Sequence, residues 1–378
     1  MNKIRMGVIG YGRMGTRHCD SILRGDNPEI ELTCVADVCE KRRQIAKETL
    51  PKEIAIFSKA EELIESKLCD AVLIALIHYE HPKYVIMAIE HDLHVMCEKP
   101  AGVYTKQVRE MNEVAAKHDK VFGIMFNQRT NHVYRKVHEL VHSGRFGKIK
   151  RVNWIVTEWY RSQAYYNSGG WRATWEGEGG GVLLNQCPHN LDLLQWICGM
   201  PCKIQAFCHN GKWHDIEVED DVTAYMEFPN GATGVFVTST GDFPGTNRLE
   251  ITMDKAKIVC DKSSLSVFEL NVSEREFCFS TTDGFPKAEG KYLEIQTDGL
   301  NVQRPGVLNA FAARILHGTP LVAEGIEGIN SLTLSNAMYL SSWLQKPVTL
   351  PLNEDLFLEE LNKLRQASKY FMCQSILY

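Results

Sequence analysis

Nowhere does the chain hold the roughly 20 consecutive apolar residues of a membrane span. A first strand that begins by Ile4 leaves no room for a signal peptide, so a cytoplasmic protein without membrane contact is expected. There is no long block of like charge either: 42 Lys+Arg stand against 47 Asp+Glu, a net charge of −5, which removes any electrostatic basis for indiscriminate nucleic-acid capture. The 12 cysteines include no C-x-x-C pair, and the densest group, Cys198, Cys202 and Cys208, fits no familiar zinc spacing. They read as reduced thiols, and no metal is expected. Gly-Lys-Ser/Thr is absent, which excludes a P-loop, and neither an internal repeat nor a low-complexity segment occurs.

What remains is an ordinary globular composition, 44% hydrophobic and 24% charged over 378 residues, long enough for two domains. β-branched runs at Ile4–Ile9, Leu32–Ala36, Ala71–Ala75, Leu93–Cys97 and Val121–Phe126 alternate with amphipathic stretches such as Glu80–Glu90 and Lys106–Lys117. That pattern predicts a doubly wound parallel sheet over residues 1–126. From 127 to 378 the texture is that of an α+β domain. A helix is expected over Asn131–Ser143, a strand over Ile149–Glu158, and antiparallel strands over Val222–Phe228, Ala232–Ser239, Leu249–Thr252 and Lys257–Cys260. Helices near Gly328–Leu344 and Asn353–Ser368 close the chain.

Gly10-Tyr11-Gly12-Arg13-Met14-Gly15 sits between the first strand and a helix, the context in which G-x-G-x-x-G becomes a dinucleotide fingerprint. Asp37 ends the second strand about twenty residues past Gly15, where a carboxylate receives the adenosine ribose and repels a 2′-phosphate, so NAD is expected over NADP. The basic run Lys41-Arg42-Arg43 nearby reads as a solvated helix face or as a phosphate site. A later strand runs into Glu98-Lys99-Pro100; Lys99 either reaches the nicotinamide end of such a cofactor or merely ends the strand.

The segment from Gly179 to Gly199 sets Leu184, Cys187, Leu191, Leu194 and Cys198 on one helical stripe and Asn185, His189, Asp192 and Trp196 opposite, with Pro188 interrupting the pattern. His189 is there an acid–base candidate or a structural histidine. Between Trp154 and Trp175 lie seven Trp and Tyr residues, including Tyr166 and Trp171, with Arg161 and Arg172 among them. Stacking faces and guanidinium donors suit a sugar or polyol, and suit an aromatic core or subunit interface equally. Asn127 and Arg129, just past the last strand of the first domain, add two more donors.

Taken together, GVIGYGRMG, Glu98-Lys99-Pro100, the Ser143-Gly144 to Val152 junction and the GGG-to-His189-to-Asp192 segment resemble the Gfo/Idh/MocA family of sugar and polyol dehydrogenases over nearly the whole chain. The resemblance implies a Rossmann domain, a C-terminal domain on an open, mainly antiparallel mixed sheet, and Lys99 with His189 as the catalytic pair. It carries Gly10, Gly12, Arg13, Met14, Gly15, Asp37, His81, Glu98 and Lys99 over as the NAD set. Asn127, Arg129, Tyr166, Trp171, Arg172, Asn185 and His189 become the substrate set. Two departures stand out: Asn185 replaces the Asp many members carry four residues before the histidine, and Leu76-Ile77-His78 replaces Thr-Pro-Asn. The expected activity is NAD-dependent oxidation of a secondary ring hydroxyl of a pyranoside, at C3 in one bacterial branch, or of a cyclitol, in a homo-oligomer. A redox-neutral enzyme that keeps its NAD while cleaving or converting a glycoside through a keto intermediate is the alternative, and a non-catalytic sensor is disfavoured by Lys99 and His189.

Overall fold

A computed structural model describes residues 3–369. Six strands, β1 (Ile4–Ile9), β2 (Ile30–Ala36), β3 (Ala55–Phe57), β4 (Ala71–Ile74), β5 (His94–Cys97) and β6 (Phe122–Ile124), form one sheet in the order β3-β2-β1-β4-β5-β6. Every pairing in it is parallel, with β1 central and in register with Ala71–Ile74 along Met6–Ile9. β1, β4 and β5 are buried almost throughout, as strands with helices on both faces must be. This is the doubly wound fold that the alternating pattern predicts. β3 is an addition to that reading, because three residues are too short to leave a period.

The second sheet has nine strands: β7 (Ile149–Val156), β8 (Lys203–Asn210), β9 (Glu219–Glu227), β10 (Thr233–Ser239), β11 (Asn247–Met253), β12 (Ala256–Asp261), β13 (Ser264–Leu270), β14 (Gly290–Leu293) and β15 (Val348–Thr349). Their order is β14-β13-β12-β11-β7-β10-β9-β8-β15, antiparallel except where β10 runs parallel to β7. Alternation sets one face inward, with Trp154 opposite Phe236 in the β7–β10 register and their rings edge to face at 6.3 Å. The other face is open and carries Ile155, Phe207 and Tyr225 exposed. Helices Gly328–Leu344 and Pro188–Cys198 cover the inner face.

Helix Gln303–His317 is absent from the sequence reading because Pro305 and Gly306 near its start look like a turn; a proline is tolerated in a first turn, whose N–H groups have no helical partner. Its Val307, Leu308, Phe311 and Ala312 pack with Ile4, Met6 and Val8 of the first sheet, and Asn27 Nδ2 donates to Pro305 O at 3.0 Å. The chain therefore returns to the nucleotide-type sheet after building the second one. That return places the start of this helix beside the carboxyl ends of the parallel strands. Among the described residues no helix is long and apolar enough to cross a membrane, and every described cysteine is a free thiol.

Candidate active site

The glycine motif occupies the turn from β1 into helix Arg13–Leu23. Gly10 holds φ at +95°, and a Cβ there would stand 2.4 Å from Ala75 O; one on Gly15 would stand 1.8 Å from Gly10 O. Gly12 differs, since a Cβ on it would meet nothing within 4 Å and no side chain caps the helix there. First-turn amides thus face open space, the room and the donors that a diphosphate requires. Beside it, Asp37 accepts from Tyr11 N at 2.8 Å through Oδ2 and from Cys39 N at 2.8 Å through Oδ1. Arg43 is tied back to the carbonyls of Asp37 and Val38, both at 2.8 Å, and pairs with Glu40. Arg13 is exposed and Met14 half-buried on the first turn. The chain's own groups therefore fit a dinucleotide with an unphosphorylated ribose.

At the end of β5, Glu98 is buried and pairs with His18 at 2.7 Å, a partner on the first helix that the sequence did not single out. Burial alone would raise the Glu98 carboxyl; the bond and charge of His18, helped by Lys99 and Arg304, carry it down to about 2 instead. Lys99 follows, half-buried, its Nζ donating to Asn185 O at 2.8 Å. Burial pushes its ammonium below the ordinary lysine range, as do the charges of Arg304 and Arg172, while Glu98 and Glu178 oppose them. His81 lies just behind. Its Nδ1 faces Pro100 O at 2.7 Å and its Nε2 faces Leu76 O at 3.0 Å, so the ring ties the β4 and β5 loops together.

His189 enters from the second domain, on the first turn of helix Pro188–Cys198. Its ring meets Phe126 edge to face at 6.3 Å, and its Nδ1 is buried without a hydrogen-bond partner. Burial and the neighbouring Lys99 charge lower the imidazole to about 3, so the ring is neutral. The helix starts only at Pro188, which leaves Leu184 and Asn185 in an irregular turn, Asn185 N donating to Gly181 O at 2.9 Å. Of the expected polar stripe, Asp192 is buried, while Asn185, His189 and Trp196 are half-buried. Asn185 Nδ2 donates to Glu178 Oε1, and Glu178 itself, buried, takes the Ala173 N–H at 2.6 Å and lies 3.7 Å from Arg172.

Three members of the expected substrate set have different surroundings from those the sequence suggested. Arg129 is buried with Nε and Nη2 on Asp192 at 2.8 and 2.7 Å and Nη1 on Glu327 at 2.8 Å, so it braces the His189 helix with three of its five N–H groups committed to carboxylates. Tyr166 is buried with its hydroxyl on Thr240 Oγ1 at 2.7 Å. Its neighbour Tyr165 instead accepts from Arg172 Nη1 at 3.0 Å and from Gln186 Nε2 at 3.3 Å. The two sit next to each other on the short helix Gln163–Tyr166 and take different partners, and composition carries no sign of which meets Arg172. Asn127 Nδ2 donates to Gln303 Oε1, leaving Asn127 Oδ1 buried and unpartnered, as is Gln186 Oε1. Arg172 lies over the Trp171 ring at 4.5 Å and the Tyr165 ring at 4.8 Å. Among the described residues there is no group of three or more metal-ligating side chains.

Comparison with known proteins bears on the fold and the cofactor. Residues 4–126 match a family profile described as an oxidoreductase family with an NAD-binding Rossmann fold, and residues 134–259 match the GFO/IDH/MocA C-terminal domain. The myo-inositol 2-dehydrogenase of Thermotoga maritima is 28% identical over 340 residues, 88% of this chain and 95% of that one. The D-glucoside 3-dehydrogenase of Escherichia coli is 26% identical over 247 residues, 60% of this chain and 68% of that one. Among solved structures, the WlbA dehydrogenase from Chromobacterium violaceum in complex with NADH and UDP-GlcNAcA superposes with a TM-score of 0.79 at 26% identity, covering 93% of this chain and 97% of that one.

Proposed function

The chain belongs to the Gfo/Idh/MocA family of NAD-binding oxidoreductases, and from that premise we propose that it oxidises a secondary ring hydroxyl of a pyranoside or cyclitol. Bound NAD supplies the hydride acceptor. Gly10, Gly12 and Gly15 with the first-turn amides would hold its diphosphate, Asp37 its adenosine ribose, and Glu98 and Lys99 its nicotinamide end. Alcohol oxidation also needs a place for the hydroxyl proton. One observation carries the proposal: Lys99, whose ammonium is already aimed across the domain boundary at Asn185, stands within electrostatic reach of a neutral His189 that has an unpartnered ring nitrogen. Lys99 steadies the developing alkoxide while His189 receives the proton.

A ring bearing several hydroxyls matches the rest of the site. Arg172 and Tyr165 supply donors beside the Trp171 face, and the unpaired oxygens of Asn127 and Gln186 await hydroxyl partners. The myo-inositol, glucoside and UDP-GlcNAcA named for the relatives are all such rings, and the glucoside relative supports a 3-hydroxyl among the sites of oxidation. The open face of the nine-stranded sheet, with Ile155, Phe207 and Tyr225 exposed, supports self-association of a cytoplasmic enzyme. The test is incubation with a panel of glycosides and cyclitols, reading nicotinamide absorbance and product mass together. NADH accumulating with a product two hydrogens lighter is expected. A changed sugar with no NADH would point to the redox-neutral reaction, and no change with any ring polyol would refute the proposal.

A further inference from the structure

Lys99 is surrounded by charge that works against it. Arg172 and Arg304 both disfavour its ammonium form, as does burial. Glu98 opposes them but is committed to His18. The other opposing carboxylate is Glu178, 2% exposed, whose Oε1 receives the Asn185 side-chain amide while the Asn185 carbonyl receives Lys99 Nζ. Backbone and side chain of one asparagine thus join a buried carboxylate to the lysine. Burial raises the Glu178 carboxyl, and Arg172, the Ala173 N–H, the Asn185 amide and Lys99 oppose that and favour its charged form; Tyr166 also faces it, and His78 is bonded to its carbonyl at 3.1 Å, while the groups facing Lys99 also include His81 and His189.

We propose that Glu178 is a positioning residue for Lys99: it fixes the Asn185 turn that receives the lysine and supplies the negative charge that keeps Lys99 an ammonium pointed at the substrate oxygen. Asn185 cannot supply that charge itself, and Glu178, seated behind it, makes up the lack. The inference rests on Lys99 acting in the chemistry, but its readout does not depend on turnover. A purely structural role has a different signature. Glu178 also accepts the N–H of Ala173, which has φ of +55°, and a glutamine keeps an acceptor there while losing the charge.

The test is the pH dependence of Lys99 acetylation by acetic anhydride in the full-length protein, read by peptide mass spectrometry. Glu178→Gln should move the Lys99 titration down by about 1 pH unit, the size expected when an opposite charge at short range is removed. Adding Asn185→Asp to that variant should bring it back, whereas Asn185→Asp alone, which sets a second carboxyl against Glu178, should leave one proton shared between the two and the Lys99 titration near wild type. An unmoved titration in Glu178→Gln, or no recovery in the double variant, would overturn the inference. Should Glu178→Gln fail to fold by circular dichroism, the double variant Glu178→Gln/Asn185→Asp decides: a Lys99 titration near wild type supports the proposal and one lowered by about 1 pH unit refutes it. Lys99→Met tests the underlying reading separately, since turnover that survives it removes the lysine from the chemistry whatever Glu178 does.

Discussion

Replacing Arg129 with Met removes the cation from a buried ion pair. The arginine is 4% exposed and Asp192 1% exposed, and the two are joined by two bonds of 2.7 and 2.8 Å. Burial already raises the Asp192 carboxyl even with Arg129 opposing it. Without the arginine the carboxylate is uncompensated, a loss that costs about 3–5 kcal/mol for buried pairs. Glu327, the third partner, is one-third exposed and can turn to water, so it adds little. For a domain of this size the expected fall in Tm is on the order of 10 °C. The sign with pH follows from Asp192: a carboxyl raised in the folded state loses stability as pH rises through its folded value, so Arg129→Met should be more damaging at pH 8 than at pH 5. Adding Asp192→Asn should recover much of the loss, giving a large coupling in a double-mutant cycle. Thermal and urea melts at both pH values measure all four proteins. A variant within about 1 kcal/mol of wild type at both pH values would refute the reasoning.

NADP should bind on the order of 10- to 100-fold more weakly than NAD in calorimetry, because its 2′-phosphate would meet Asp37 while Arg43 is held by backbone carbonyls and Glu40; equal affinity would contradict this. Gly12→Ala should melt nearly as wild type yet lose NAD affinity, as its methyl enters space the protein leaves open, whereas Gly15→Ala should be poorly folded from its 1.8 Å clash with Gly10 O. Glu219, buried and bonded by Gly181 N, Leu183 N and Tyr339 Oη, is pushed by burial up to about 7 from the ordinary 4.5. Its raised folded value means that stability is lost as pH rises from about 4.5 through 7, by about 3 kcal/mol, so Glu219→Gln should gain on wild type across that window in denaturant melts. Parallel stability curves would show that Glu219 does not titrate there.

The parallel sheet was legible because its buried strands are short apolar runs, three of them ended by Gly10, Asp37 or Glu98 at the carboxyl edge, the edge where the ligand end of such a fold lies. Lys99, after the fifth strand, and His189, after a glycine run, could be singled out as candidates, and only the family resemblance paired them. What pattern does not carry is which neighbour a polar side chain chooses once the two domains meet. Arg129 looked like a ligand donor and is tied to Asp192, some sixty residues on, and Tyr165 rather than Tyr166 meets Arg172. Glu178 had no signal of its own in a stretch of glycine and aromatic residues. Helix Gln303–His317 was hidden by Pro305 and Gly306, and with it Gln303 and Arg304, which only the return of the chain brings to the site.

The central claim is that Lys99 and His189 promote hydride loss from a ring carbon to NAD. Its most direct test supplies ring-deuterated glycosides and cyclitols to wild type, Lys99→Met and His189→Ala, and weighs the reduced cofactor by mass spectrometry. Wild type should yield cofactor one deuterium heavier, with both variants slower by about 100-fold or more and NAD binding retained. Reduced cofactor without deuterium, or a variant as fast as wild type, would contradict the account.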